Sequence, residues 1–198
     1  MAKAQEIKFQ SEAGQLEYAW TTSWGVSTRL IGGLIMTHSD DDGLMVPPRL
    51  APAHVVILPV FRGDDTRGKV MEYIDALAKE LRAQRFGDRP VEVEVDARDL
   101  RGGDKMWEWV KKGAPLRVEI GPRDVESGAM MVSRRDRGVK DKVSMSRGDF
   151  VGTVSAILEE MQKGMFDRAL AYRNENTRPI DARAEFDAFF TPKSKNED

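Results

Sequence analysis

The chain contains no cysteine, which excludes disulfides and thiolate metal sites. Its two histidines, His38 and His54, are too few for histidine-based zinc chemistry, so any bound metal would be held by oxygen ligands. No apolar run approaches the roughly 18 residues that a membrane-spanning helix needs, and no apolar signal segment follows Met1. An excess of one charge is missing too: the net charge of -2 gives no general attraction to polyanions, so contact with nucleic acid has to come from a local patch. Internal repeats are absent. These absences point to a cytoplasmic protein with no membrane partner.

What is present suits a globular chain. The 198 residues are 40% hydrophobic and 32% charged, enough for one good core and part of another at about 100–150 residues per domain. Residues 16–26, "LEYAWTTSWGV", are rich in aromatic and β-branched types and predict a strand after a "SEAGQ" turn. Leu30, Ile31, Leu34 and Ile35 then recur at helical spacing, with Ser27 or Thr28 as N-cap. Gly32 and Gly33 each cost such a helix about 1 kcal/mol against alanine, which predicts a tightly packed helix lying close to a neighbour. Pro47, Pro48 and Pro52 mark a linker at 47–52.

Beyond the linker the order is regular. "HVVILPVF" (54–61) reads as a strand buried on both faces. Val70, Ile74, Leu77 and Leu81 predict a helix, with Asp64, Asp65 and Thr66 as start signals. "RPVEVEVD" (89–96) alternates like a strand with one wet face. A short helix at 104–113 is closed by Gly113 and Pro115, and "LRVEIG" (116–121) is a further alternating strand. Residues 129–146 read as a hairpin turning near Arg137 and Gly138, and Phe150, Val154, Ile157, Leu158, Met161 and Met165 form the stripe of a long helix. The result is an α/β fold, a mixed five-stranded sheet with flanking helices.

Local chemistry leaves several readings open. Arg29, at a strand–helix junction, is placed either to meet phosphate oxygens with the helix N–H groups or to pair with a carboxylate. His38 caps carbonyls or meets a substrate. "DDDG" (40–43) reads as a solvated turn rather than a cation site, because contiguous aspartates do not converge unaided. Trp107 and Trp109 cannot both face the core from one short helix, so one is exposed, for stacking or for a partner domain.

"TTSWGVSTRLIGGLIMTHSDDDGLMVPPRLAP" (21–52) closely resembles the third signature motif of prolyl-tRNA synthetases, class II aminoacyl-tRNA synthetases, of the archaeal and eukaryotic type. "KGAPLRVEIGPRDVESG", "VSRRD" and "RNENT" resemble that family's anticodon-binding domain, in the same order. The resemblance spans roughly residues 8–190. It implies that Arg29 is the motif-three arginine holding the terminal phosphates of ATP, with magnesium bridging phosphate oxygens while proline is activated. It likewise places Ser27 on the nucleotide and Ser23, Trp24 and Gly25 along the proline pocket; for Trp24 core packing, and for Gly25 a strand-end turn, stand as the plainer alternatives.

The implied organisation is the edge of a catalytic domain at 1–46, the linker, an anticodon-binding domain at 53–172, and the start of a connection to a further domain at 173–198 with a disordered tail. The family's two earlier motifs do not fit before residue 16. Met1 therefore reads as an internal start, and the chain as the C-terminal part of a longer, homodimeric ligase, inactive alone. Its partners would be tRNA(Pro), with proline and ATP in the whole enzyme. Candidate anticodon contacts are Arg117, Glu119, Arg123, Arg134 and Arg135, since a forked arginine suits guanine and proline anticodons share two guanines. The plain alternatives are a cross-strand Arg117–Glu119 salt bridge and a solvated "RRDRGVKDK" turn. A free-standing RNA- or protein-binding module without catalysis is the competing function.

Overall fold

A computed structural model describes residues 1–61, 66–138 and 140–192, which form two compact units, Met1–Leu34 and Ile35–Asp198. In the first unit, α1 (Ala2–Gln5) leads into β1 (Lys8–Gln10) and β2 (Leu16–Tyr18), an antiparallel pair with Lys8 opposite Tyr18. Gly14, at φ 72°, takes the left-handed turn between them. The strand expected over 16–26 stops at Tyr18, and 19–28 carry no regular structure before the helix. Aromatic and β-branched residues favour strands only when a neighbouring strand takes their backbone bonds, and β1 is three residues long.

Helix α2 (Arg29–His38) starts where Arg29 predicts, with the Leu30 and Ile31 amides returning to the Ser27 and Thr28 carbonyls. Its expected tight packing is not found. None of its residues is buried, Leu30, Ile31, Ile35 and Met36 are exposed, and a methyl group built on Gly32 or Gly33 meets nothing within 4 Å. The apolar face has the right period, but no described residue covers it.

The second unit takes in the last four residues of α2 and then a small hairpin, β3 (Ser39–Asp40) and β4 (Gly43–Leu44), turning at Asp41 and Asp42. Then come β5 (Val55–Pro59), α3 (Arg67–Arg82), the short pair β6 (Arg85–Phe86) and β7 (Arg89–Pro90), β8 (Val93–Val95), α4 (Gly102–Lys112) and β9 (Leu116–Ile120). The chain continues through α5 (Pro122–Ser127), β10 (Ala129–Arg134), β11 (Lys142–Ser146), α6 (Arg147–Glu175) and α7 (Arg183–Phe190). The five-stranded sheet has the order β11-β10-β9-β5-β8, with β5 parallel to β8 and β9 and the β9-β10-β11 side antiparallel. This is the mixed sheet that the sequence predicts.

Central β5 is buried at every position, as its unbroken apolar run requires. Val55 and Ile57 face α3 and α6 with Ile74, Leu77, Leu81, Phe150, Val154 and Leu158; Val56 and Leu58 face α4 with Trp109 and Met106. Each fully buried aliphatic side chain in these layers contributes about 1.5–3 kcal/mol of transfer free energy. The strand expected at 89–96 is split, with Arg89–Pro90 pairing β6 and only Val93–Val95 joining the sheet; Pro90 has no amide to give a ladder. The segment expected as a linker is folded down rather than free, since Ala51 donates to the Pro47 carbonyl and Arg89 Nη2 donates to Ala51 O at 2.8 Å. Asp64 and Asp65, expected to start α3, and residues 193–198 of the tail lie outside the described residues.

Candidate nucleic-acid interface

Strand alternation decides which candidate side chains meet. Leu116, Val118 and Ile120 of β9 belong to the α3/α6 core, so Arg117 and Glu119 lie on the opposite face. Along that face Glu119 stands between Leu58 of β5 and Met131 of β10 in register. Past the end of β9 the chain turns at Gly121, where an added methyl would approach the Val60 carbonyl to 3.3 Å. Pro122 then opens α5, and the Gly121 amide donates to Asp124 Oδ2 at 2.7 Å, which caps that helix.

The outcome is a concavity of about 280 Å³ lined by Val60, Glu119, Gly121, Pro122, Arg123, Asp124 and Met131. Among the described residues the exposed Arg123 side chain has neither ion pair nor hydrogen bond. Lys142 Nζ reaches Glu119 Oε1 at 2.6 Å from β11. The site therefore combines a carboxylate acceptor, a guanidinium without a partner among the described residues, an ammonium on that carboxylate and an apolar floor, a set suited to an unstacked base presenting both donors and acceptors.

The other candidates are distributed differently. Arg134 lies on the α6 side, pairing with Asp136 at 2.8 Å and Glu160 at 3.0 Å, and lines a separate cleft with Val132, Arg137 and Ile157. Arg117 is buried under α4, and its Nη1 has no partner among the described residues; burial first, then the neighbouring Arg135 charge, pushes its pKa down to about 10. The Arg117–Glu119 salt bridge weighed from the sequence is replaced by Glu119–Lys142. Arg135 is 2% exposed and bound to Asp40, so it is not presented to a base. The solvated-turn reading of "DDDG" holds for the exposed turn residues Asp41 and Asp42, while Asp40 adds a structural pairing, its pKa lowered chiefly by the Arg135 hydrogen bonds.

Trp107 is exposed, whereas Trp109 packs on Val56 and Leu58 and donates Nε1–H to Asp96 Oδ2 at 2.8 Å. Alternation from Val118 was enough to put Glu119 beside the concavity. Lys142 and Met131 needed the strand register, which the sequence does not print.

The residues expected to contact nucleotide and proline, Ser23 to Arg29, lie in the first unit. Ser23, Trp24, Gly25 and Ser27 occupy the irregular 19–28 segment, and Trp24 is exposed rather than packed in a core. Arg29 is the first residue of α2, exposed, with no carboxylate partner among the described residues. His38 ends the helix, its pKa lowered by partial burial and by Arg168, and its carbonyl accepts from Met45 N–H at 2.7 Å. No group of three or more His, Cys, Asp or Glu side chains that could hold a metal ion occurs among the described residues.

Residues 54–157 match the anticodon binding domain family. The chain belongs to that family. Its relatives include the proline–tRNA ligase of Bdellovibrio bacteriovorus, 54% identical over 190 residues that make up 96% of this chain and 38% of that ligase. The proline–tRNA ligase of Rhodopirellula baltica is 53% identical over 192 residues, 97% of this chain and 37% of its own. The chain thus spans little more than a third of the length of these relatives. Among solved structures, prolyl-tRNA synthetase from Cryptosporidium parvum complexed with L-proline and AMP is similar at a TM-score of 0.73 and 32% identity, over 93% of this chain and 38% of that one.

Proposed function

We propose that the anticodon binding domain of this chain reads the anticodon of tRNA(Pro) as part of a prolyl-tRNA synthetase that activates proline with ATP. The observation that carries the reading is the concavity that Arg123, without an ion pair or hydrogen bond among the described residues, lines together with Glu119, to which Lys142 reaches. A guanine offers N1–H and N2–H to a carboxylate on one edge and O6 and N7 to a guanidinium on the other, and the concavity supplies both partners. Glu119 and Arg123 carry the reading on this geometry. Arg134 serves it only by exchanging Glu160, and Arg117 and Arg135 only by leaving their buried positions.

Residues 1–46 favour the ligase over a free-standing binding module. The Bdellovibrio similarity covers 96% of the chain, well beyond residues 54–157, whereas an RNA-binding module has no use for a nucleotide edge. In the whole enzyme Arg29 and Ser27 meet the nucleotide, and Ser23, Trp24 and Gly25 meet proline. Arg29, exposed and free of carboxylates among the described residues, is available for phosphate, and magnesium would arrive on the nucleotide's own oxygens. The covering that α2 lacks here would come from the remainder of the catalytic domain, in a cytoplasmic homodimer.

Titration of the chain with tRNA carrying a proline anticodon, against one with both guanines replaced, tests the reading. Tighter binding of the former, lost in Arg123→Ala, is expected; equal affinities refute it. In the full-length ligase Arg29→Ala abolishes proline-dependent pyrophosphate exchange and leaves tRNA affinity unchanged.

A further inference from the structure

Trp107 and Trp109 stand two residues apart on α4, about 200° from one another around the helix. Trp109 is held by Asp96 and the sheet, whereas Trp107 is 42% exposed and packs against neither core cluster of the described residues. An indole left in water keeps an apolar face open to a partner. The neighbours of α4 fix the direction in which that face looks.

On one side of the helix Lys105 Nζ donates to the Asp96 carbonyl at 3.2 Å, Trp109 Nε1–H donates to Asp96 Oδ2, and Glu108 pairs with Arg98 at 2.8 Å. Asp96 and Arg98 follow β8, so this side looks to the β8 edge of the sheet. The opposite side is marked by Val110, whose carbonyl accepts from Arg135 Nε at 3.1 Å just past β10. It is marked again by Lys111, whose Cα would lie 2.7 Å from a methyl on Gly43, the residue whose carbonyl takes Arg135 Nη2. Trp107 lies about 160° around the helix from Lys105, but only about 60° from Val110 and about 40° from Lys111. It is on the β10 side.

Its height along the sheet follows in the same way. Helix α4 runs antiparallel to β9: Lys105 Nζ reaches the carbonyl of Pro59, which pairs with Ile120, while Val110 is level with Arg135, whose amide donates to Pro115 O. Trp107 falls between these levels, and helical side chains lean toward the helix N-terminus. That carries the indole toward Glu119 and Met131, which pair in register and line the concavity.

We propose that Trp107 is the stacking surface for the base whose edge Glu119 and Arg123 read. This rests on the anticodon reading given above. Groups that bind the edge of an unstacked base leave its faces bare, and an indole plane supplies the contact they lack. Every base has a π face, so stacking adds affinity without regard to identity, and discrimination stays with Glu119 and Arg123.

The test is binding of this chain to tRNA with a proline anticodon and to tRNA with both guanines replaced. Trp107→Ala weakens both complexes about tenfold or more and leaves the ratio of their affinities unchanged, and Trp107→Phe recovers most of the loss. Glu119→Gln lowers the ratio instead. Binding of tRNA quenches the fluorescence of the wild-type chain, and Trp107→Phe removes that quench, a signal that a merely structural tryptophan does not give. Undiminished affinity in Trp107→Ala, with the guanine preference kept, overturns the stack. A loss that phenylalanine does not recover, accompanied by a lower melting temperature, overturns it as well. A wild-type chain that binds both tRNAs equally refutes the anticodon reading, and the quench in Trp107→Phe still decides whether Trp107 meets a base.

Discussion

Residues 1–34 and residues 35–198 carry comparable apolar patterns and bury them to very different extents. In the first unit Trp20, Trp24, Val26, Leu30 and Ile31 are all exposed and Ala2 is its one buried hydrophobic residue, whereas the second packs β5, α3, β9 and α6 around a continuous core. The period of a helix face records a surface to be covered, and α2 has that period. Covering it takes a second element. Where the sheet supplies one, pattern becomes stability; where no described residue does, the same pattern stays an exposed stripe of the kind that marks an interaction surface.

The largest test of this contrast is truncation on each side. Ile57→Ala, in the fully buried strand, should cost about 2–5 kcal/mol in urea unfolding, and Ile31→Ala no more than about 0.5 kcal/mol. Equal losses would break the comparison. The next is glycine. Gly43 combines φ 128° with a backbone contact that a methyl would violate, so Gly43→Ala should destabilise by about 1–3 kcal/mol; Gly32→Ala meets nothing and should stabilise α2 by about 0.5–1 kcal/mol in thermal melts.

Acid sensitivity should belong to the second unit. Asp96 is held well below its ordinary value of 3.8, first by the forked Arg98 and then by burial-opposing help from Trp109 Nε1–H. A carboxyl with a depressed folded pKa stabilises the protein above its unfolded value, and that contribution is lost as pH falls from 3.8 through the folded value. Acid titration of Trp109 fluorescence should therefore be shallower below pH 3.8 in Asp96→Asn; an unaltered profile removes Asp96 from the account. The smallest effect is expected at Trp24, where Trp24→Phe should change stability by less than about 0.5 kcal/mol while removing a large share of the acrylamide-quenchable fluorescence.

Much of the second unit was legible because its signals are long. The apolar run of β5, the spacing of Val70 to Leu81, the alternation of Leu116 to Ile120 and the stripe of α6 each cover several periods. Helix α5 was not, since six residues hold less than two turns and its start rests on one Asp124 cap. The strand over 19–26 was misread for the opposite reason: the right residue types occur there without a neighbour to pair them. At the site, alternation gave Glu119 and the turn gave Arg123, but the fates of Arg117 and Arg135 depended on α4 lying over that face.

Sequence alone therefore determined the order of the sheet strands and of the long helices between them, the mixed sheet, the start of α2 at Arg29 and the family resemblance, because these are written in local spacing and in residue identity. Tertiary structure alone decided which charges are available. Arg135 and Arg123 are both arginines next to a strand end, yet one is closed in by Asp40, Gly43 and Val110 and the other is left facing an open concavity. Burial and pairing are set by residues far apart in the chain, here 95 positions between Asp40 and Arg135, and no local pattern contains that distance.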